Sequence, residues 1–115
     1  MSGMFETWAA ELDACVAAPE HHRLLLENDL VRVLETTIEP GQTTKVHTHR
    51  WPAVYYILSA GHFVRRDGAG AVTFDSRHSS TALSGQAAWS PPLGPHTLEN
   101  VGETTIRVIS VEVKR

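Results

Sequence analysis

The sequence has one cysteine, no long apolar run and no secretory signal among its 115 residues. The single Cys15 excludes an internal disulfide, which is typical of a protein from a reducing compartment. No stretch of 18 apolar residues exists, so none is long enough for a membrane-spanning helix. A secretory signal needs a basic start and an unbroken apolar stretch, and residues 1–16 have neither. We therefore expect a cytoplasmic protein.

The sequence also has no large excess of positive or negative charge. The formal net charge is −3, and the basic residues cluster no further than the pairs Arg65-Arg66 and Lys114-Arg115. The electrostatic footprint of a nucleic-acid-binding protein is absent, and the negative charge argues against an anionic membrane surface. We expect neither nucleic acid nor a membrane as a partner.

Sequence signatures of several enzyme classes are missing. The sequence contains no Gly-x-Ser-x-Gly, no phosphate-binding glycine loop and no dinucleotide fingerprint. With 42% hydrophobic and 20% charged residues, the composition is that of a globular domain rather than of a disordered chain. We predict one domain over residues 1–115. Because a chain of this size buries a core with little reserve, a homodimer would add stability, and we expect one.

One amphipathic helix is predicted over residues 4–17. Pro19 ends it, because the residue before a proline avoids the helical region. Apolar side chains recur at helical spacing on one face, namely Phe5, Trp8, Leu12, Cys15 and Val16. We interpret this segment as a packing helix that covers a barrel or a neighbouring subunit. A thiol buried on that face is inert, so no nucleophilic role is assigned to Cys15.

Short β-rich runs separated by turn residues follow over residues 22–113. This pattern is typical of an all-β sandwich or barrel. The predicted strands are His22–Glu27, Leu30–Ile38, Thr43–His49, Ala53–Ser59, His62–Arg66, Ala71–Asp75, Ala87–Trp89, His96–Asn100 and Thr105–Val113. The polar segment 76–84 is predicted to be a surface loop. Several strands are apolar on both faces, which indicates that one face lines a barrel and the other packs on the helix or a second subunit.

Three histidines form the pattern that carries chemistry. His47 and His49 are two residues apart in a predicted strand, so their side chains share one face. His96 lies far along the chain, at the start of another strand. If they converge, three imidazoles would suit Zn, Fe, Cu or Ni rather than Mg or Ca. The alternative is three polar residues packed in a barrel without an ion.

The spacing of residues around these histidines resembles the two cupin motifs. The first is a glycine, five residues, His-x-His, three or four residues, a glutamate, six residues and a glycine. The second is a glycine, five residues, Pro-x-Gly, two residues, a histidine, three residues and an asparagine. The residues that match are Gly41, His47, His49, Gly61, Gly85, Pro91, His96 and Asn100. The resemblance implies a double-stranded β-helix, the jelly-roll barrel of cupins, over residues 22–113.

The sequence departs from the first cupin motif at its glutamate, which falls on Val54. In cupins this glutamate is the usual fourth metal ligand, so the resemblance leaves a three-histidine site. Three neutral imidazoles would not compensate a divalent ion, so such a site should prefer an anionic ligand from outside. In having three histidines and no carboxylate ligand, the site resembles that of the three-histidine cupin dioxygenases. It also resembles zinc sites in which three histidines hold the ion and one position is open. The same loss could instead mean a weak or absent metal site.

Three further residues are candidates for a substrate pocket. Arg50 follows the histidine pair and could hold a substrate carboxylate in a bidentate fork. Tyr56 has the same strand parity as Val54, so we expect it to face the cavity. Asn100 lies four residues past His96 and shares its face in a continuous strand. The remaining histidines receive no role, and His22 is expected to be solvated.

Three functions are therefore open at this point. The first is a metal-dependent, dioxygenase-like enzyme that acts on a small anionic molecule through one divalent metal on His47, His49 and His96. The second is a non-catalytic ligand-binding or sensory barrel, with or without metal. The third is an interaction module whose helix and two-faced strands build a dimer.

Overall fold

A computed structural model describes residues 8–78 and 84–114 of the chain. Two antiparallel sheets make up the fold, in the strand orders β1-β2-β9-β4-β7 and β3-β8-β5-β6. The strands are β1 His22–Glu27, β2 Val31–Ile38, β3 His47–His49, β4 Ala53–Ser59, β5 Phe63–Asp67, β6 Val72–Asp75, β7 Ala87–Ser90, β8 Leu93–Asn100 and β9 Ile106–Val113. The predicted all-β fold is confirmed, because each predicted run overlaps one observed strand.

The core lies between the two sheets. Pairing of β2 with β9 sets Ile38 opposite Ile106, and these two residues and Leu34 are almost completely buried. Their alternate neighbours face outward, as the two-residue period of a strand requires. The inner faces of both sheets therefore bound one interior space.

The N-terminal helix is shorter than predicted. The described part of residues 4–17 contains a 3₁₀ turn at Ala10–Leu12 and a helix α1 at Ala14–Ala17, while residues 4–7 lie outside the described range. A continuous helix is wrong because Asp13, with ψ 141°, is extended and its side chain accepts a hydrogen bond from the Cys15 amide at the start of α1. No helix in the described ranges is long and apolar enough to cross a membrane.

The β5–β6 hairpin shows how the turn residues act. Asp67 Oδ1 accepts hydrogen bonds from the amides of Ala69 and Ala71, at 2.9 and 3.0 Å. Gly70 has φ +91°, a conformation that costs glycine little because it has no Cβ. In the predicted surface loop 76–84, Ser76–His78 form a 3₁₀ turn, and residues 79–83 lie outside the described residues.

Asn100 joins the ends of three strands. Its Nδ2 donates to the carbonyl oxygens of Ile38 and Thr104, both at 2.9 Å, and its Oδ1 accepts from the Gly102 amide at 3.0 Å. The side chain is only 1% exposed. All three bonds are intramolecular, so the residue serves the fold rather than a ligand.

We expect Asn100→Ala to lower the free energy of unfolding by about 3 kcal/mol, because buried polar groups lose their partners. Asn28→Ala is the matched control, since Asn28 also accepts two backbone hydrogen bonds but at the surface. Water can replace those bonds, so the control should lose only about 1 kcal/mol. Urea unfolding followed by circular dichroism measures both, and equal losses would contradict the assignment.

Candidate metal centre

A cavity of about 280 Å³ lies between the sheets. Most of its wall is apolar, formed by Ile38, Trp51, Ala53, Ile57, Ala60, Phe63, Phe74, Leu93, Leu98, Ile106 and Val108. Its polar lining residues include four histidines, His22, His47, His49 and His96. A concave, mainly apolar space with a few convergent polar groups is typical of a small-molecule site.

The rings of the three histidines predicted as ligands lie near one another, although His96 is not in the group of residues whose ligand nitrogens all lie within 4.8 Å of one another. Pairing of β3 with β8 sets His47 opposite His96, and their ring centroids are 4.3 Å apart. The ring of His49 lies 5.0 Å from that of His47 and 5.4 Å from that of His96. His47 and His96 are buried. The expected convergence of two distant segments is therefore present in the fold.

A fourth histidine, His22, joins this cluster, although the sequence analysis expected it to be solvated. It is 6% exposed, and its ring centroid lies 4.6 Å from that of His47 and 5.4 Å from that of His49. The candidate ligand nitrogens of His22, His47 and His49 all lie within 4.8 Å of one another. No spacing rule points to His22. It begins β1, an edge strand of one sheet, and meets β3, an edge strand of the other.

Each imidazole of the cluster is held through its Nδ1 atom. Three of these atoms bond to main-chain carbonyl oxygens. The pairs are His22 with Ala18 at 3.0 Å, His47 with Lys45 at 2.8 Å and His96 with Gly94 at 2.7 Å. Because a carbonyl only accepts, the hydrogen of the neutral ring must sit on Nδ1, which leaves the Nε2 lone pair free. Outer hydrogen bonds of this kind orient histidine ligands of metals.

The protonation of these rings also suits metal binding. Burial lowers the pKa of His22 to about 3, that of His47 to about 4 and that of His96 to about 3, because the charged form loses its hydration. The neighbouring histidines lower these pKa values further. The rings are therefore neutral near pH 7 and can donate a lone pair.

His49 is held by a buried chain of charges. Its Nδ1 lies 3.1 Å from Glu112 Oε2, and Glu112 Oε1 accepts from Arg32 Nε at 2.6 Å. The other two guanidinium nitrogens of Arg32 bind both carboxylate oxygens of Asp13, each at 2.9 Å. This chain ties the N-terminal segment to the histidine cluster, which explains why Asp13 interrupts the predicted helix.

The hydrogen bonds of this chain keep Arg32 and Asp13 ionised. Burial is the largest single influence on Arg32 and lowers its pKa, but the bonds from Asp13 and Glu112 together outweigh it and raise that pKa. Burial likewise raises the pKa of Asp13, yet the pairing with Arg32 leaves that pKa below its usual value. The site thus contains a permanent ion pair beside neutral imidazoles.

Val54 does not lie at the histidine cluster. It is 44% exposed on the outer face of β4, whereas Ala53 is buried and lines the cavity. The motif allows three or four residues before its glutamate, and the strand turns the three-residue position, Ala53, inward. At either position a carboxylate is absent, and in the described residues the candidate ligand group consists of imidazoles only.

The three predicted pocket residues are absent from the described cavity lining. Arg50 is exposed, with its guanidinium 4.9 Å from the Trp51 ring centroid. Tyr56 is 44% exposed on the same outer face as Val54, because its parity was counted from the wrong residue. Asn100 is fully engaged within the fold, as described above. Tyr55 and Arg65 line the cavity instead.

Arg65 has an unusual environment for an arginine. Its Nε is buried and has no hydrogen-bond partner among the described residues. Burial lowers the pKa of Arg65, and the only opposing influence is the nearby Tyr55. The cavity wall therefore carries a positive charge without a counter-ion from the described chain.

The residues of the cluster fit a divalent transition metal. Imidazole nitrogen suits Zn, Fe, Ni and Cu, while Mg and Ca prefer oxygen. The buried imidazoles of His22, His47 and His96, with free Nε2 atoms, and the partly buried imidazole of His49 provide such donors. Any ion held by them would also face the cavity, because the same rings form part of its wall.

Comparisons with known proteins support the fold only. No protein-family model matches the sequence, and no curated protein matches it. A cupin domain from Bordetella pertussis Tohama I has a similar structure, with a TM-score of 0.67, 22% identity and coverage of 82% of this chain and 92% of that one. An RmlC-like cupin from Methanocaldococcus jannaschii has a TM-score of 0.59, 11% identity and coverage of 80% and 77%.

A third solved structure of this kind is the polyketide cyclase RemF from Streptomyces resistomycificus. Its TM-score is 0.55 at 23% identity, over 84% of this chain and 67% of that one. Identities this low establish architecture without establishing activity. The chain has the double-stranded β-helix fold of cupins, and the resemblance found in its motifs is confirmed at the level of fold.

We expect Arg32→Met to lower the free energy of unfolding by about 3–5 kcal/mol at pH 7, because it leaves the buried carboxylate of Glu112 and the partly buried carboxylate of Asp13 without their arginine. Arg23→Met is the matched control, since the Arg23–Glu35 pair spans 3.8 Å and the Arg23 side chain is 78% exposed. An exposed pair contributes about 1 kcal/mol or less. Chemical unfolding of both variants tests this, and similar losses would refute the role given to Arg32.

Proposed function

We propose that this chain binds one divalent transition metal through its clustered histidines and acts with it on a small anionic molecule in the cavity. The observation that carries the proposal is the orientation of the buried rings. Nδ1 of His22, His47 and His96 is bound to main-chain oxygen, so Nε2 is the free donor. Burying several neutral imidazoles in this state is costly unless their lone pairs have a partner.

The proposed ligands are His47, His49 and His96, as the motifs indicate, with His22 as an additional one. We include His22 because its candidate ligand nitrogen lies within 4.8 Å of those of His47 and His49. When bound, Fe, Zn, Ni or Cu would supply Lewis-acid or redox chemistry at this wall of the cavity. The protein's own part is to orient the rings and to enclose the ligand in a mainly apolar space.

The preference for an anionic molecule follows from charge. Neutral imidazoles leave the charge of a divalent ion uncompensated, and Glu112 is already paired with Arg32. Arg65 adds an unpaired positive charge to the same cavity. The polyketide cyclase named above illustrates catalysis on this fold, and we propose metal-assisted, dioxygenase-like chemistry here.

We also propose that two copies associate through the outer face of β4 and β7. Val54, Tyr56 and Leu58 are each 44% exposed on that face, and Trp89, which pairs with Val54, is 52% exposed. Contiguous exposed apolar side chains mark interaction surfaces. A second copy of the same uncharged face is the partner that matches it without leaving a charge buried.

We expect freshly purified protein to contain close to one transition metal per chain by elemental analysis. After chelation, cobalt(II) should rebind with a visible absorption band from nitrogen coordination. His47→Ala or His96→Ala should abolish rebinding, and His22→Ala should weaken it more than about tenfold, because the losses of single outer partners already cost this much.

His21→Ala is the control for these variants. His21 is the sequence neighbour of His22 and is also buried, with its Nδ1 likewise bonded to a carbonyl oxygen, but it belongs neither to the cavity lining nor to the candidate ligand group. It should bind cobalt(II) like the unaltered chain. Protein that contains no metal and takes up neither Co(II), Zn(II), Fe(II) nor Ni(II) would refute the proposal.

We expect the unaltered chain to be a dimer at micromolar concentration and Val54→Glu to weaken association at least tenfold. A charge placed in an apolar interface loses hydration without gaining a partner. Val72→Glu is the control, because Val72 is 56% exposed but lies in the other sheet. Light scattering after gel filtration measures the mass, and a strict monomer would contradict the dimer.

A further inference from the structure

Arg65 lies on the cavity wall close to the histidine cluster. In the pairing of β5 with β8, Arg65 is opposite Leu98 and Asp67 is opposite His96. Arg65 therefore sits two strand positions from the level of His96, and side chains at this diagonal are within reach of each other. Both residues line the same cavity. One ligand can contact the guanidinium and the imidazole wall together.

Most other arginines among the described residues pair with a carboxylate, and the one that does not, Arg50, is exposed, outside the cavity lining and 4.9 Å from the Trp51 ring centroid. Those paired with a carboxylate are Arg23, Arg32, Arg66, Arg77 and Arg107. Arg65 forms no ion pair with a described residue, and its buried Nε lacks a hydrogen-bond acceptor there. A buried donor without a partner is costly to the fold. Such a cost is understandable when a ligand supplies the acceptor.

We propose that Arg65 anchors the carboxylate of a small monocarboxylic acid whose body is largely apolar. A planar guanidinium fork matches the two oxygens of a carboxylate. The rest of the ligand would pack on the apolar wall near Arg65, where Phe74 and Leu98 are its cross-strand neighbours. A cavity of about 280 Å³ limits the acid to a small molecule.

The observations favour a carboxylate over a phosphate. A phosphate group carries more charge and usually draws on several donors. In the described part of the cavity wall, Arg65 is the one arginine, and the histidines are the groups assigned to the ion. This inference rests on the proposed function, because both take this cavity as the ligand site. Binding of the acid at Arg65 does not require the metal.

Calorimetric titration of a matched ligand panel tests the anchor. The probes are acetate, butanoate, hexanoate, benzoate and phenylacetate, each compared with its uncharged primary amide, and inorganic phosphate. Metal-free and zinc-loaded protein are titrated separately. In metal-free protein we expect one or more of the acids with an apolar body to bind about tenfold to hundredfold more tightly than its amide, the size of a charge-assisted hydrogen-bond contribution.

Arg65→Met should remove this preference for the acid over the amide. Arg66→Met is the matched control, because the neighbouring Arg66 pairs with Glu99 at 2.8 Å and is absent from the cavity lining. It should keep the preference. Arg65→Lys keeps the charge without the fork and should retain only part of it. This second variant decides the matter if circular dichroism shows that Arg65→Met does not fold.

The outcomes separate the anchor from the metal proposal. A chain that binds no metal but shows an Arg65-dependent preference supports the anchor alone. No preference for any acid in either form overturns the anchor, whatever the metal content. A preference that survives in Arg65→Met, or in folded Arg65→Lys at full strength, also overturns it. So does tighter binding of phosphate than of every acid.

Discussion

The closure of two antiparallel sheets on each other is the constraint on which the site depends. It brings the edge strands β1 and β3 together, so that His22 from one sheet reaches His47 from the other. The same closure encloses the cavity and turns Arg65 toward it. Backbone pairing within each sheet satisfies the main-chain polar groups, which allows a polar set of side chains to be buried between the sheets.

Main-chain oxygens and charged side chains hold the imidazoles of the histidine cluster by hydrogen bonds. Main-chain oxygens hold three of the imidazoles, and the Asp13–Arg32–Glu112 chain holds His49. Each of these contacts positions a ring nitrogen and buries no further apolar surface. They therefore orient the imidazoles at a cost in stability. Arg65 is the one described residue with a buried side-chain atom left unsatisfied. The hydrogen-bonded histidines support the metal proposal, and the unsatisfied Nε of Arg65 supports the carboxylate proposal.

Residue-level prediction succeeded where local patterns are strong and failed where tertiary contacts compete. The strand runs follow from two-residue alternation and turn residues, whereas the convergence of His47 with His96 is what the resemblance to the cupin motifs implies. The long N-terminal helix was wrong because a pairing between Asp13 and Arg32 overrides helical periodicity. Tyr56 was misplaced because a shift of one residue in a strand exchanges its two faces, whereas Arg50 lies beyond the end of β3 and is exposed.

By itself, the sequence determined an all-β architecture and three histidines with metal-ligand spacing, since alternation and short-range spacing act along the chain. Only the tertiary structure decided that His22 joins them, that Ala53 rather than Val54 faces the site, and that Arg65 lines the cavity without an ion-pair partner among the described residues. These features depend on which strand edges meet and on the register of their pairing. Contacts between residues tens of positions apart leave no periodic signal in the sequence.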